Sequence, residues 1–474
     1  MGIRTYLPLT VVLAASYVLA AAQDTPSPSP TTQDTNASRP TPAPALSGVL
    51  GLDAQGAEEN SGVDLPQVPA LLGGQGASLA FTSEMEKSNY LRGGVNGGAT
   101  YDDNTFLAST GAVGNATYSV FPNISIEQTR ARLHWDLGYA AGLTVNQRFS
   151  SSNQGSHNLT FNSDFRLSPH VSLHIAENFS LTTGFFDSGN GVIGGGIPNS
   201  NLITPLSKQR SSSTVVSTNY HFALKDLVGV SGSFYDLHFS DVQGQFALVN
   251  SRSASGSGYW LHEIFRRDWA GIGYRFQRLT FEPGGGETRV HSITAVNTLS
   301  LSDKLAISGY FGPEYSDNQG VVPGSVTPQP SSFTNWSFSG GVDASWQNQR
   351  TSVSAGYSRR INDGGGILGV VRVQGVHADF RQQLFPGWNA TLGASYGRNR
   401  SLTVPVAGTA SSVDLTSVRA ALERDLGKKL GMRFSYFHDF QQQVAVSDPP
   451  QNLDAHRNRF ALTLFYQWEK PLGR

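Results

Sequence analysis

Phe460-Ala-Leu-Thr-Leu-Phe-Tyr-Gln-Trp468, near the end of the chain, decides the fold. Phe460, Leu462, Leu464, Tyr466 and Trp468 share one face, while Ala461, Thr463, Phe465 and Gln467 share the other. A period of two is the mark of a β-strand, and Phe465 is its one exception here. A strand with one apolar face must cover it, either on a soluble core or against lipid with aromatics at the interface. One strand alone fits a soluble sandwich as well as a membrane barrel, so the choice falls to the rest of the chain.

The same alternation recurs upstream. Trp336, Phe338, Gly340, Val342, Ala344 and Trp346 oppose Ser337, Ser339, Gly341, Asp343 and Ser345. Trp388, Ala390, Leu392, Ala394 and Tyr396 oppose Asn389, Thr391, Gly393 and Ser395, and Leu133, Trp135, Leu137 and Tyr139 oppose Arg132, His134, Asp136 and Gly138. Aromatics sit towards strand ends and small aliphatics in the middle, the arrangement of a lipid-facing band between interfacial girdles. Eighteen such strands are legible between about residues 90 and 468.

The connections sort into two alternating sets. Tight, polar ones include Leu167-Ser-Pro-His, Leu301-Ser-Asp-Lys, Gln347-Asn-Gln-Arg and Phe385-Pro-Gly-Trp, which carry hairpin-turn chemistry. Long Gly/Ser/Asn-rich ones fall at about 102–115, 148–156, 185–212, 241–256, 282–287, 316–332, 362–370, 401–411 and 441–456. Short turns at one rim and long loops at the other are the pattern of an all-β, transmembrane up-and-down antiparallel barrel of about 18 strands. A Greek-key sandwich has no reason to sort its loops in this way.

Composition agrees. Charged residues make up 15% of the 474, glycine numbers 52, and the formal net charge of −1 provides no basic field for nucleic acid. Cysteine is absent, which excludes disulfides, thiolate metal sites and a cysteine nucleophile. Residues 1–22 read as a secretory signal: Arg4, an apolar run from Leu7 to Ala20, and small residues to Ala22. Residues 23–75 are rich in Pro, Ser and Thr and read as a disordered periplasmic leader, and 76–474 as the barrel, which places the protein in a bacterial outer membrane.

Two resemblances follow. The closing Tyr466-Gln-Trp468 resembles the aromatic-terminated signature by which the barrel assembly machinery recognises its clients, although Glu469 to Arg474 continue beyond it. Gly93-Gly-Val-Asn-Gly-Gly-Ala-Thr-Tyr-Asp-Asp-Asn-Thr-Phe106, followed by Pro122-Asn-Ile-Ser-Ile-Glu-Gln-Thr-Arg-Ala-Arg-Leu133, resembles the opening of the β-barrel porin type 2 family. Barrels of that family often accompany exopolysaccharide gene clusters. The resemblance implies an outer-membrane channel, and it carries no functional residues over to this chain.

Chemistry other than transport finds little footing. The glycine clusters at Gly191, Gly284 and Gly364 do not open helices, so phosphate cradling is not expected. His262-Glu263 lacks the second histidine of a zinc protease, and Asp102-Asp103-Asn104 reads as a turn more readily than as a calcium site. His238 with Asp241, or His438 with Asp439, is the nearest approach to a rim catalytic pair, and no Gly-x-Ser-x-Gly nucleophile accompanies either. No enzyme activity, metal or cofactor is expected.

The polar faces carry the functional expectation. Arg132, His134, Asp136, Asp164, Arg166, Arg275, Gln277, Asp343, Arg433 and Asp439 oppose apolar faces and are expected to line the lumen, with Tyr235, Phe239, Phe437 and Phe465 also turned inward. Both signs of charge occur, whether for solute passage or to brace the wall. The expected role is passage of small polar solutes or oligosaccharides, with residues 185–212 as the constriction. Exopolysaccharide export and a non-conducting adhesin or structural barrel are the alternatives. Lipid is the expected surrounding, and a homo-oligomer is compatible with the sequence.

Overall fold

The computed structural model describes residues 89–472 except 107, 151–152, 184–207, 241–248, 266, 283–285, 303, 322–329, 365–367, 403–409 and 446–450. The signal and leader segments, and most of the expected constriction, lie outside the described residues. Among the described residues, eighteen strands follow one another. They are β1 (Asn89–Asp102), β2 (Asn115–Thr129), β3 (Leu133–Asn146), β4 (Gln154–Arg166), β5 (Val171–Thr183), β6 (Lys208–Ala223), β7 (Asp226–Ser240), β8 (Asn250–Phe265) and β9 (Asp268–Glu282). The second half comprises β10 (Gly286–Ser300), β11 (Leu305–Val321), β12 (Pro330–Gln347), β13 (Thr351–Gly364), β14 (Leu368–Phe385), β15 (Trp388–Ser401), β16 (Ala410–Asp425), β17 (Leu430–Ala445) and β18 (Gln451–Pro471).

Each strand pairs antiparallel with the next, and β18 pairs with β1 from Tyr90↔Pro471 to Asp102↔Arg459, so the sheet closes on itself. Closure leaves no sheet edge at the chain ends, as a membrane span requires. Short turns join β2 to β3, β4 to β5 and so on around one rim. At the turn between β14 and β15, Gly387 takes φ 74°, a conformation in which a Cβ is strained.

Large apolar side chains are exposed at alternate positions around the ring: Tyr118, Val120 and Ile124 on β2, Val230 and Phe234 on β7, Phe460, Leu462, Leu464 and Tyr466 on β18. On a closed barrel that face is the outer one. Trp336 and Trp346 on β12 are ten residues apart, which at ~3.3 Å per residue and a tilt of ~40° separates them by about 25 Å along the membrane normal, the height of an apolar band. Phe465, the exception in the last strand, is on the inner face, where its ring lies over Gly431: a Cβ built there would fall 2.2 Å from Phe465 Cζ. The strand needs Gly431 for that close approach.

Several expected loops are shorter than the sequence pattern indicates. β17 runs through Ala445 and β18 begins at Gln451, so strand occupies much of 441–456, and β13 and β14 likewise invade 362–370. Gln441-Gln-Gln443 and its neighbours lack an apolar face because they extend past the lipid band, while ladder hydrogen bonds still favour strand there.

Candidate functional site: the lumen and its outer mouth

Towards the turn rim, the inner face carries opposed charges. Asp164 accepts from His174 Nδ1 at 2.8 Å, Asp136 accepts from Asn162 at 3.2 Å, and His134 Nδ1 is 2.8 Å from the Thr129 hydroxyl. Across the ring Arg433 donates to Glu423 at 2.6 Å, Arg419 to Asp379 at 2.6 Å, and His377 Nε2 is 3.7 Å from Asp343. Arg92 joins Glu127 and Glu469 at 2.5 and 2.9 Å, tying β2 to β18 through β1. These pairs keep partial exposure, for example 56% for Arg419 and 34% for Asp379. Ion pairs of this kind are worth little for stability. They make a water-accessible wall of both signs.

Arg132 is not on the wall: β3 begins at Leu133 and Arg132 is exposed in the preceding turn, its carbonyl accepting from Arg166 N at 2.8 Å. The turn falls at Arg130-Ala-Arg132, after the Ile126-Glu-Gln-Thr129 stretch at which the side-chain pattern places it, because β2 runs on to Thr129. Arg275 is on β9 and donates to Gln277. Asp439 is buried, bonded to Ser417 at 2.6 Å and Arg459 at 3.1 Å.

The outer half of the lumen is packed. On β18, Arg457 donates from Nε and Nη2 to Asp102 Oδ2 at 2.8 and 2.5 Å, with exposures of 1% and 0%. Arg459 and Asp439 beside them are 4% exposed each. Asp102 Oδ1 also accepts from Asn104 N, and Asp103 accepts from Asn458 N and Nδ2, both at 2.7 Å. The Asp-Asp-Asn cluster thus fastens β1 to β18. It is already occupied by protein donors, and no metal-binding group occurs among the described residues.

Opposite, the mouth is filled by the end of the β13–β14 hairpin. β13 pairs with β12 only from Ser352↔Gln347 to Arg359↔Gly340, so the register stops there, while β13 remains paired to β14 as far as Gly364↔Leu368. Past Arg359 the hairpin turns into the lumen. One face of its tip, with Ile361 and Val370, packs on Leu279, Phe281 and Val290 of β9 and β10. The other, with Val371 and Val373, packs on Tyr235, Leu237 and Phe239 of β7 and on Val413 of β16. Asp363 accepts from Ser251 of β8 at 3.1 Å, and Glu314 of β11 accepts from Ile361 N at 3.4 Å. Strands far apart in the ring therefore touch across the opening. The constriction that the sequence reading missed was hidden because Val370, Val371 and Val373 fall in and beside a Gly-rich stretch that reads as loop. Their β-branched run is the signal that was there to find.

Tyr235 and Phe239 are spent on that packing, and Phe437 lies under the Arg459 guanidinium at 4.8 Å. His438 and Asp439 are adjacent in a strand and so face opposite sides; His438 Nδ1 is 2.8 Å from Asn458 Oδ1, and the two cannot act as a pair. His238 is exposed on β7, and Asp241 lies outside the described residues.

A closed, even-stranded antiparallel ring with an apolar outer belt, a charged inner wall and short turns at one rim defines the class: this is a transmembrane barrel of the bacterial outer-membrane type. No family model and no curated protein matches the chain. Among solved structures it is similar to OccAB4 of Acinetobacter baumannii (TM-score 0.42, 9% identity, 81% of this chain and 99% of that one). It is also similar to the outer membrane protein OpdK of Pseudomonas aeruginosa (0.40, 10%, 80% and 99%) and to the siderophore receptor PiuA of A. baumannii (0.45, 8%, 81% and 82%). The class rests on this chain's own ladder and belt.

Proposed function

We propose that the barrel is an outer-membrane channel for small polar solutes or oligosaccharides, held shut at its outer mouth by the tip of the β13–β14 hairpin. The observation that carries the reading is the buried apolar cluster at the outer end, where Leu237 and Val371 belong to one group that spans the opening, above a wall that shows exposed charges of both signs such as Asp379 and Arg419 beside an apolar patch at Leu227, Leu261 and Trp269. A wall of mixed, water-accessible charge suits polar solutes of either sign. A mouth closed by a hairpin tip makes passage depend on displacing that tip.

The chain has no cysteine, so an engineered pair reports cleanly. Ser251→Cys with Asp363→Cys places thiols where side chains now touch across the mouth. In planar bilayers the oxidised barrel is expected to be silent and the reduced barrel to conduct in discrete steps. Equal conductance in both states overturns the closure, and silence in both overturns the channel.

The finer reading, kinship with the type 2 porins and export of an exopolysaccharide, is supported by the opening motif from Gly93 to Phe106. It is distinguished by occlusion of the reduced channel on addition of acidic or neutral polysaccharide from the turn side. Signal cleavage at Ala22 and assembly through the last strand belong to the same proposal.

A further inference from the structure

The inward turn of β13 has a second consequence, on the lipid side of the wall. Residues Pro330–Ser339 of β12 keep their partners on β11, up to Val321↔Pro330, yet have no partner on β13. A seam therefore opens in the wall above Gly340. Trp336 marks the upper edge of the apolar belt, so the seam descends from the rim into the level of the outer leaflet.

Its surroundings are unlike the rest of the outer surface. Beside it are two of the most exposed aromatics of the barrel, Trp336 at 71% and Phe311 at 64%, in the ring pairs Tyr315–Trp336 and Phe311–Phe338. Across it Arg359 lies over the Phe338 ring at 3.8 Å. Arg372 on β14 is directly opposite Arg400 on β15 in the ladder and opposite Ile361 on β13. It lies within electrostatic reach of both Arg359 and Arg400. Like charges directly opposite on a sheet repel. The nearby carboxylate, Glu314, already accepts from Ser337 and from Ile361 N. The Nε atoms of Arg359 and Arg372 are buried without a hydrogen-bond acceptor among the described residues.

The outer-face charges at the same height elsewhere are matched. Arg252 reaches Asp236 at 2.7 Å and Glu282 at 3.4 Å, and Arg278 and Arg289 share Glu287 at 2.6 and 2.7 Å. The excess of cation is local to the seam.

We propose that the seam between β12 and β13 is a lateral binding site for an anionic amphiphile, one acyl chain carrying a carboxylate or phosphate head group. The head group sits among Arg359, Arg372 and Arg400 and pairs with the accessible ends of their guanidinium groups. The chain lies along Phe338, Phe311 and Trp336, in line with the leaflet. Arginine forks suit either oxyanion, and the exposed rings supply the apolar wall. The site does not depend on whether the lumen conducts.

Tryptophan placement provides the test. Among the seven tryptophans, Trp336 lies at the outer end of the belt, whereas Trp135, Trp260, Trp346, Trp388 and Trp468 lie towards the turn rim and Trp269 is buried inside. The full chain in a non-ionic detergent is titrated with dibrominated stearate, with the lysophosphatidate of the same acyl chain, and with its uncharged monoglyceride. The expected result is saturable quenching by an anionic probe only. That component vanishes in Trp336→Phe, weakens about tenfold in Arg372→Gln or in the exposed Arg400→Gln, and returns in part with Arg372→Lys. A tighter carboxylate isotherm assigns free fatty acids as the source, and a tighter phosphate isotherm assigns lipid head groups. Equal quenching by the monoglyceride, or isotherms unmoved by Arg400→Gln in a barrel of normal heat-modifiable mobility, overturns the site.

Discussion

Replacing Arg457 with methionine is the sharpest test of how the ring is closed. Asp102, Asp439, Arg457 and Arg459 form a neutral quartet in the lumen, where β18 meets both the first strand and the penultimate one. The ladder places Asp102 opposite Arg459 and Asp439 opposite Arg457, but the side-chain bonds run diagonally, Arg457 to Asp102 and Arg459 to Asp439. Each arginine thereby binds the carboxylate diagonal to it rather than the one directly opposite. With Arg457 removed, the fully buried Asp102 carboxylate retains the Asn104 amide at 3.0 Å and loses the cation bonded to it, with only Arg459 left within electrostatic reach. An unpaired buried charge of this kind costs about 3–5 kcal/mol. Methionine keeps the volume, so little of that cost comes from a cavity. Removing both charges, Arg457→Met with Asp102→Leu, is expected to recover most of the loss, because a buried pair replaced by apolar groups is often near neutral. The assay is reversible guanidinium unfolding in phospholipid vesicles followed by tryptophan emission, with both single variants and the double. A coupling of at least about 2 kcal/mol is expected from the cycle. Additive losses, with the double variant as unstable as the two singles combined, would refute the argument that the pair acts as a unit.

Three further outcomes are expected. Leu237→Ala removes a side chain 1% exposed in the cross-lumen cluster; a loss of ~2 kcal/mol there corresponds to an open probability raised about thirtyfold, read from single-channel records. Thr214→Val deprives the outward-facing Glu177 of one of its two hydroxyl donors, the other being Ser212 at 3.1 Å. Vesicle unfolding should show a loss of about 1–3 kcal/mol that Glu177→Leu in the same background reverses. Gly387→Ala forces a side chain into φ 74° and should cost about 1 kcal/mol, whereas Gly427→Ala in the next turn, where a Cβ meets open space, should not.

The ring was legible in the sequence for a physical reason: lipid outside and water inside impose opposite demands on alternate residues, so Trp336 to Trp346 and Phe460 to Trp468 announce their faces unaided. The mouth was not legible, because two faces of the β13–β14 tip are both covered and alternation disappears. Ile361 and Val370 belong by period to the outer face, yet both are buried, at 1% and 0%. Arg359 and Arg372 read from sequence as wall residues like any others, and only the truncated register shows that they flank a break. For Arg132 the error was one of boundary, since a polar turn and a polar inner face look alike for a residue or two.

Mouth and seam are two results of one bend, and their energetics are opposed. Returning the tip to the wall would restore ladder bonds along Arg360–Gly364, which β12 now lacks; at ~1 kcal/mol each, five residues contribute about 5 kcal/mol. Doing so would unpack Ile361, Val370, Val371 and Val373, buried at 1%, 0%, 0% and 4%, and leave Val371 and Val373 facing the aqueous lumen at ~2 kcal/mol each, or about 4 kcal/mol. The two contributions are of similar size, so the packing across the lumen that holds the tip inward is a balance that solute binding is able to alter. The lipid side of the wall and the axial path are therefore coupled through the same four apolar side chains.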